Sequence, residues 1–99
     1  MRVVFSGEAA ADLEEIGDYI ARHNARRALT FIAELRDAAL GLADAPHAFP
    51  LVPRYKHHGI RRRPIGNYLI FYRVEGNQIS IVHILHGARD FEALLFPQD

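Results

Sequence analysis

The chain has 99 residues, 49% hydrophobic and 24% charged, which is the composition of one small soluble domain able to build a core. It contains no cysteine, which excludes a disulfide scaffold, a thiolate metal site and a cysteine nucleophile. Twelve basic residues balance twelve acidic ones, but unevenly: Arg54, Lys56, His57, His58, Arg61, Arg62 and Arg63 follow one another with no carboxylate between them. Such a segment suits an acidic partner or a solvated strand edge, and leaves direct nucleic-acid binding open. No apolar run reaches the roughly 20 residues of a membrane span, and the N-terminus lacks a signal peptide's layout. The expectation is a cytoplasmic protein with no membrane partner, one domain over residues 1–99.

In chain order, Arg2 to Phe5 reads as a short strand rich in β-formers. Ser6 can cap a helix with Glu8 in its first turn, and Ala9, Leu13, Ile16 and Ile20 form its apolar stripe. This helix is expected to end near residues 22–24. Asn24 can cap a second helix through about Ala43, with Ala28, Phe31, Ile32, Leu35, Ala39 and Leu42 on one face. Pro46, Pro50 and Pro53 mark an extended loop. Three strands follow: Gly59 to Ile65, with Pro64 pointing to an edge; Tyr68 to Val74, alternating; and Ile79 to His86, nearly all apolar. Turns are expected at Gly66-Asn67 and Glu75-Gly76-Asn77, and a helical turn or two over Asp90 to Phe96. The order β-α-α-β-β-β predicts an α+β fold: an antiparallel sheet with a helical hairpin packed on one face.

Most residues that could carry chemistry have plainer roles. Glu8, Asp12, Glu14, Glu15 and Asp18 read as the solvated side of the first helix. His83 and His86 are three apart on a strand, so they are expected on opposite faces and unable to share a metal. His57 and His58 lack a third ligand. No metal or cofactor is therefore expected. Ser6 reads as a cap and Ser80 as a strand residue. What remains is Arg61, Arg62, Arg63, Tyr68, His86 and Arg89 on neighbouring strands or just past their ends, with Arg73 beside them. A metal-free RNA-cleaving site uses these groups, and so does a positive docking face. Their types do not separate the two. Arg61 and Arg63 should share one face and Arg62 the other, with at least one of them held by a carboxylate. Arg89 should project past a bend at Gly87 and lean on Asp90.

The order and spacing of these pieces resembles the RelE/ParE superfamily of type II toxin–antitoxin toxins. The matching segments are Val4-Phe5-Ser6 leading into Ala10 through Ile16 and Tyr19-Ile20, then Ala28 through Leu35, then Gly59-Ile60-Arg61 and Tyr68 through Val74. The ending His86-Gly87-Ala88-Arg89-Asp90 is similar to the ParE branch. The resemblance implies the same β-α-α-β-β-β fold. It further implies a toxin that poisons DNA gyrase and is neutralised by a cognate ParD-like antitoxin in a hetero-oligomer. Ile16, Tyr19, Ile20, Phe31 and Leu35 would divide between the core and that antitoxin interface. Arg61, Arg62, Arg63, Arg73, His86 and Arg89 would be the target-binding candidates. RelE-like members are instead ribosome-dependent mRNA endonucleases, for which Arg61, His86 and Arg89 would be the catalytic candidates. That branch has an Arg directly after the central-strand Tyr and a Tyr six residues after the terminal Arg. Here those positions are Leu69 and Leu95. The departure favours a binding toxin over the endonuclease; a diverged toxin fold with another target is the remaining alternative.

Overall fold

The computed structural model describes residues 1–97. It begins with β1 (Arg2–Phe5), which turns at once into helix α1 (Gly7–Ala21). Ser6 makes that turn. Its Oγ accepts from Ala9 N at 3.0 Å and its hydroxyl donates to Val82 O at 2.8 Å, so one side chain caps the helix and ties it to the sheet. Asn24 caps α2 (Ala25–Gly41), its Oδ1 accepting from Arg27 N at 2.9 Å. Past Gly41 the chain tightens into i→i+3 bonds, from Leu42 N to Ala39 O and from Ala43 N to Leu40 O, which satisfy the last carbonyls. After the proline-rich loop and a short 3-10 turn come β2 (Ile60–Ile65), β3 (Tyr68–Glu75), β4 (Gln78–His86) and α3 (Phe91–Leu95). Gly66 (φ 55°) and Gly76 (φ 59°) supply the left-handed residues of the two hairpin turns.

The four strands lie in the order β1-β4-β3-β2. The hairpins make β2–β3 and β3–β4 antiparallel, as expected, but β1 runs parallel to β4, pairing Arg2 with Gln78 through Phe5 with Ile81. The sheet is mixed. Short turns dictate antiparallel neighbours, whereas β1 reaches β4 only through the rest of the chain, which serves as the long crossover a parallel pair requires. Pro64 sits on the edge strand β2, where its missing donor costs nothing. The first half of that edge is covered, with Val52 N bonding Ile60 O at 2.9 Å and Arg62 N bonding Pro50 O at 3.1 Å.

Both faces of the sheet are packed. The helical hairpin covers one, where Leu13, Ile16, Phe31 and Leu35 meet Ile70, Tyr72, Ile79, Ile81 and Ile84. Each such side chain contributes about 1.5–3 kcal/mol relative to leaving it exposed. The other face carries a smaller cluster of Val52, Tyr55, Ile60, Phe71, Leu85 and Phe96, with Leu69, Phe91 and Leu95 against it. Ile70, Phe71 and Tyr72 are accordingly all fully buried. The expected alternation along β3 is present, with both sides of it covered. Helix α3 is fastened there by Tyr55, whose hydroxyl donates to Glu92 Oε2 at 2.8 Å, and by Arg54, 3.7 Å from the same oxygen.

One irregularity in β4 corrects an expectation about Asp12. The register slips opposite Phe71 and Tyr72, which pair with His83 and Ile81 and leave Val82 as the extra residue of a bulge. Asp12 fills the gap: its Oδ2 accepts from Ile84 N at 2.9 Å and lies 2.7 Å from His83 Nδ1. Asp12 is therefore a largely buried clamp between α1 and β4, not part of a solvated face; its side chain is 12% exposed. From His83 onward the pairing with β3 is regular, His83 opposite Phe71 and His86 opposite Tyr68, so the two histidines alternate as expected. His83 reaches α1, and His86 lines a groove with residues of the same helix.

Tyr72 fixes the proline-rich loop from the core, its hydroxyl donating to Pro46 O at 2.9 Å. Burial pushes its phenol above the ordinary tyrosine value, against the opposing pull of the Arg61 and Arg63 guanidiniums. Unfolding lowers that phenol back toward the ordinary value of 10.0, so above it the unfolded chain binds fewer protons than the native one. Stability is expected to be insensitive to this group below pH about 10 and to fall as pH rises beyond it. Tyr72→Phe should lessen the alkaline loss while costing about 1 kcal/mol at neutral pH through the lost hydrogen bond. Urea unfolding midpoints from pH 7 to 11 for both chains check this.

Candidate functional site

The helical hairpin and the open end of the β3–β4 hairpin enclose a groove of about 680 Å3. Ile16, Ile20 and Phe31 build its apolar floor together with Ile84, and Tyr19 stands at its rim with 56% of its surface exposed. Tyr68 and His86, paired across β3 and β4, form the wall, and Arg89 closes the end. The wall is a stack of rings. Tyr68 packs against Phe31 at 5.5 Å between centroids, and His86 meets Tyr68 edge-on at 5.2 Å. Burial, and then the neighbouring Tyr19, push the Tyr68 phenol above its ordinary value. At neutral pH it is a hydrogen-bond donor and not a base. Arg27 lies over the Phe31 ring at 5.0 Å and reaches Glu34 at 3.3 Å. Charge is divided across the groove, with Asp12 and Glu15 on α1 and Arg27 and Arg89 on the opposite sides.

Two sets of residues that the sequence separates therefore meet here. Ile16, Tyr19, Ile20 and Phe31, expected to divide between the core and an antitoxin, and His86 and Arg89, candidates for the target, all line one groove. Leu35 does not join them, being fully buried under the hairpin. Arg61, Arg62, Arg63 and Arg73 also lie elsewhere. Their alternation is as expected, with Arg61 opposite Tyr72, Arg63 opposite Ile70 and Arg62 opposite Phe71.

The expected carboxylate partner is absent, however: among the described residues none of Arg61, Arg62 and Arg63 forms an ion pair. Arg61 donates to Phe49 O at 2.8 Å, Arg63 donates to Pro64 O at 3.2 Å and covers the Phe49 ring at 4.9 Å, and Arg73 donates to His58 O at 3.1 Å. The proline-rich loop is short of backbone donors, and the Arg61 guanidinium satisfies its Phe49 carbonyl without a counter-charge. Arg89 likewise has no carboxylate on it among the described residues; the expected bond to Asp90 is not formed, and the side chain is exposed. The bend at Gly87 is present.

Among the described residues no three His, Cys, Asp or Glu side chains gather as metal ligands, and no helix is long and apolar enough to cross a membrane.

The family model for the ParE toxin of the type II toxin–antitoxin system parDE matches residues 3–91. The chain belongs to the ParE toxin family. Its fold is similar to that of a chain in the chromosomal ParDE toxin–antitoxin system from P. aeruginosa, with a TM-score of 0.76 at 22% identity, covering 87% of this chain and 95% of that one. It is also similar to a chain of the toxin–antitoxin complex RelBE2 from Mycobacterium tuberculosis, with a TM-score of 0.64 at 21% identity, covering 86% of this chain and 95% of that one. At these identities the likeness is one of fold. No curated protein sequence matches the chain.

In this ParE-family chain, sequence reasoning missed Asp12 and Arg27 as groove residues. Asp12 lies three residues after Ala9 and four before Ile16, inside the apolar stripe, and a carboxylate on that face was the signal of a buried partner. Arg27 stands four residues before Phe31 and seven before Glu34, so its place along α2 was readable as helix geometry.

Proposed function

We propose that this ParE-family toxin acts by binding rather than by catalysis, that DNA gyrase is its target, and that a ParD-like antitoxin holds it inactive from the groove. The observation that carries the binding reading is the environment of Leu69 and Leu95. Resemblance to the RelE branch calls for an Arg and a Tyr at these positions. Here both leucines pack against the cluster of Phe71, Leu85 and Phe96 on the far face of the sheet. Apolar side chains turned into a core neither move a proton nor stabilise phosphorane charge. Tyr68, held protonated, does not replace them as a base. An antitoxin segment is supported by the apolar floor and exposed Tyr19, the features of a helix-in-groove site, and by β1, an edge strand open to strand addition.

Controlled expression without an antitoxin tests the reading. Filamentation with induction of the DNA-damage response is expected, together with inhibition of supercoiling by purified gyrase when the chain is added. Immediate translation arrest with cut ribosome-bound messages would replace this reading with the endonuclease. Normal growth at high expression would remove both.

A further inference from the structure

The chain leaves β4 at His86 and reverses over the next three residues, and each amide of that turn has a partner. Gly87 N donates to Asn67 O at 2.8 Å and Arg89 N to His86 O at 3.0 Å. Ala88 N, between them, donates to a side chain: the Nδ1 of His86, at 3.1 Å. A side-chain acceptor for the amide two residues on is what Asn and Asp provide in an Asx-turn. We infer that His86 is a positioning residue for Arg89, its Nδ1 standing in for an Asx oxygen and fixing the turn that presents the guanidinium at the end of the groove. This inference rests on the proposal that Arg89 engages the toxin's target.

Three features support it. An Nδ1 that accepts a hydrogen bond carries no proton, so the neutral ring bears its hydrogen on Nε2. The ring is held in place by Tyr68, which meets it at 77° and is itself backed by Phe31. Arg89, exposed and with no ion pair among the described residues, has no side-chain anchor, so the backbone turn sets where it points. Beyond the turn Phe91 N donates to Arg89 O at 2.8 Å, which closes the other side. Losing the Ala88 bond at this exposed position releases the amide to water. The fold is little affected, while Arg89 gains orientations that binding must then remove.

The acceptor and the ring can be tested separately, because His86→Asn keeps an acceptor without the ring and His86→Phe keeps the ring without the acceptor. Growth inhibition is measured by titrated expression at matched protein levels, with thermal unfolding of each variant alongside. His86→Asn is expected to lose clearly less potency than His86→Phe, which should be about fivefold weaker, and Arg89→Ala should be at least about tenfold weaker, all with unchanged unfolding temperature. Ring 15N shifts of the purified chain should show the Nε2–H tautomer for His86. Full potency in His86→Phe alongside a weak Arg89→Ala would overturn the inference and leave the role of Arg89 standing. Equal losses in the Asn and Phe variants, or an Nδ1–H tautomer, would overturn it too. Undiminished potency in Arg89→Ala would remove the target-binding reading of Arg89 and the inference with it.

Discussion

Asp12→Ala is expected to destabilise the protein by about 3 kcal/mol, more than any surface substitution should. One carboxylate oxygen serves two partners, Ile84 N at 2.9 Å and His83 Nδ1 at 2.7 Å. Hydrogen bonds to a charged group are worth about 1.5–3 kcal/mol each, and the loss is compounded when a donor is left buried without a partner. Ile84 is itself 1% exposed, so its amide has little access to replacement water. Asp12→Asn retains an acceptor for Ile84 N but places at most one further polar atom toward His83, so a loss of about 1–2 kcal/mol is expected. Denaturant titration gives both values, with unchanged slope if the denatured state is unaffected. A cost below about 0.5 kcal/mol for Asp12→Ala would show that the clamp contributes nothing beyond a solvated carboxylate.

Tyr19→Ala should have the opposite profile, with stability unchanged within about 0.5 kcal/mol and affinity for the antitoxin reduced about 30-fold or more. The ring is 56% exposed at the rim of the groove and meets His23 edge-on at 6.4 Å, so the isolated fold gains little from it. Large aromatic side chains at the edge of an apolar groove are the anchors that dominate helix docking. Leu29→Ala is the control. That side chain is 76% exposed, also apolar, and lies on α2 outside the groove, so its removal should leave affinity unchanged. Calorimetric titration of each purified variant with a ParD-like antitoxin measures the affinities, and denaturant titration the stabilities. Equal affinities for the Tyr19 and Leu29 variants would move the antitoxin off this groove.

Local rules made much of the fold legible. Ser6 and Asn24 cap the helices that their spacing announces, and Pro64 lies on the edge strand its missing donor demands. The leucines at positions 69 and 95 could be seen as departures from the endonuclease pattern by counting alone. The stripes of α1 and α2 named most of the groove floor, because helical periodicity reports which residues share a face. It does not report whether that face is covered. Leu35 and Ile20 share the apolar character of their helices, yet Leu35 is sealed under the hairpin and Ile20 opens onto the groove.

By itself, the sequence determined the elements, their order, the helical hairpin and the two β-hairpins, since each depends on residues within a few positions of one another. Tertiary structure decided what joins distant segments. The parallel pairing of β1 with β4, the bulge at Val82 and the Asp12 clamp on His83, 71 residues along the chain, have no local cost or gain that a short window could register. The same holds for the groove, where Tyr19, Phe31, Tyr68 and Arg89 become neighbours because burying both faces of one sheet brings their elements to a common end.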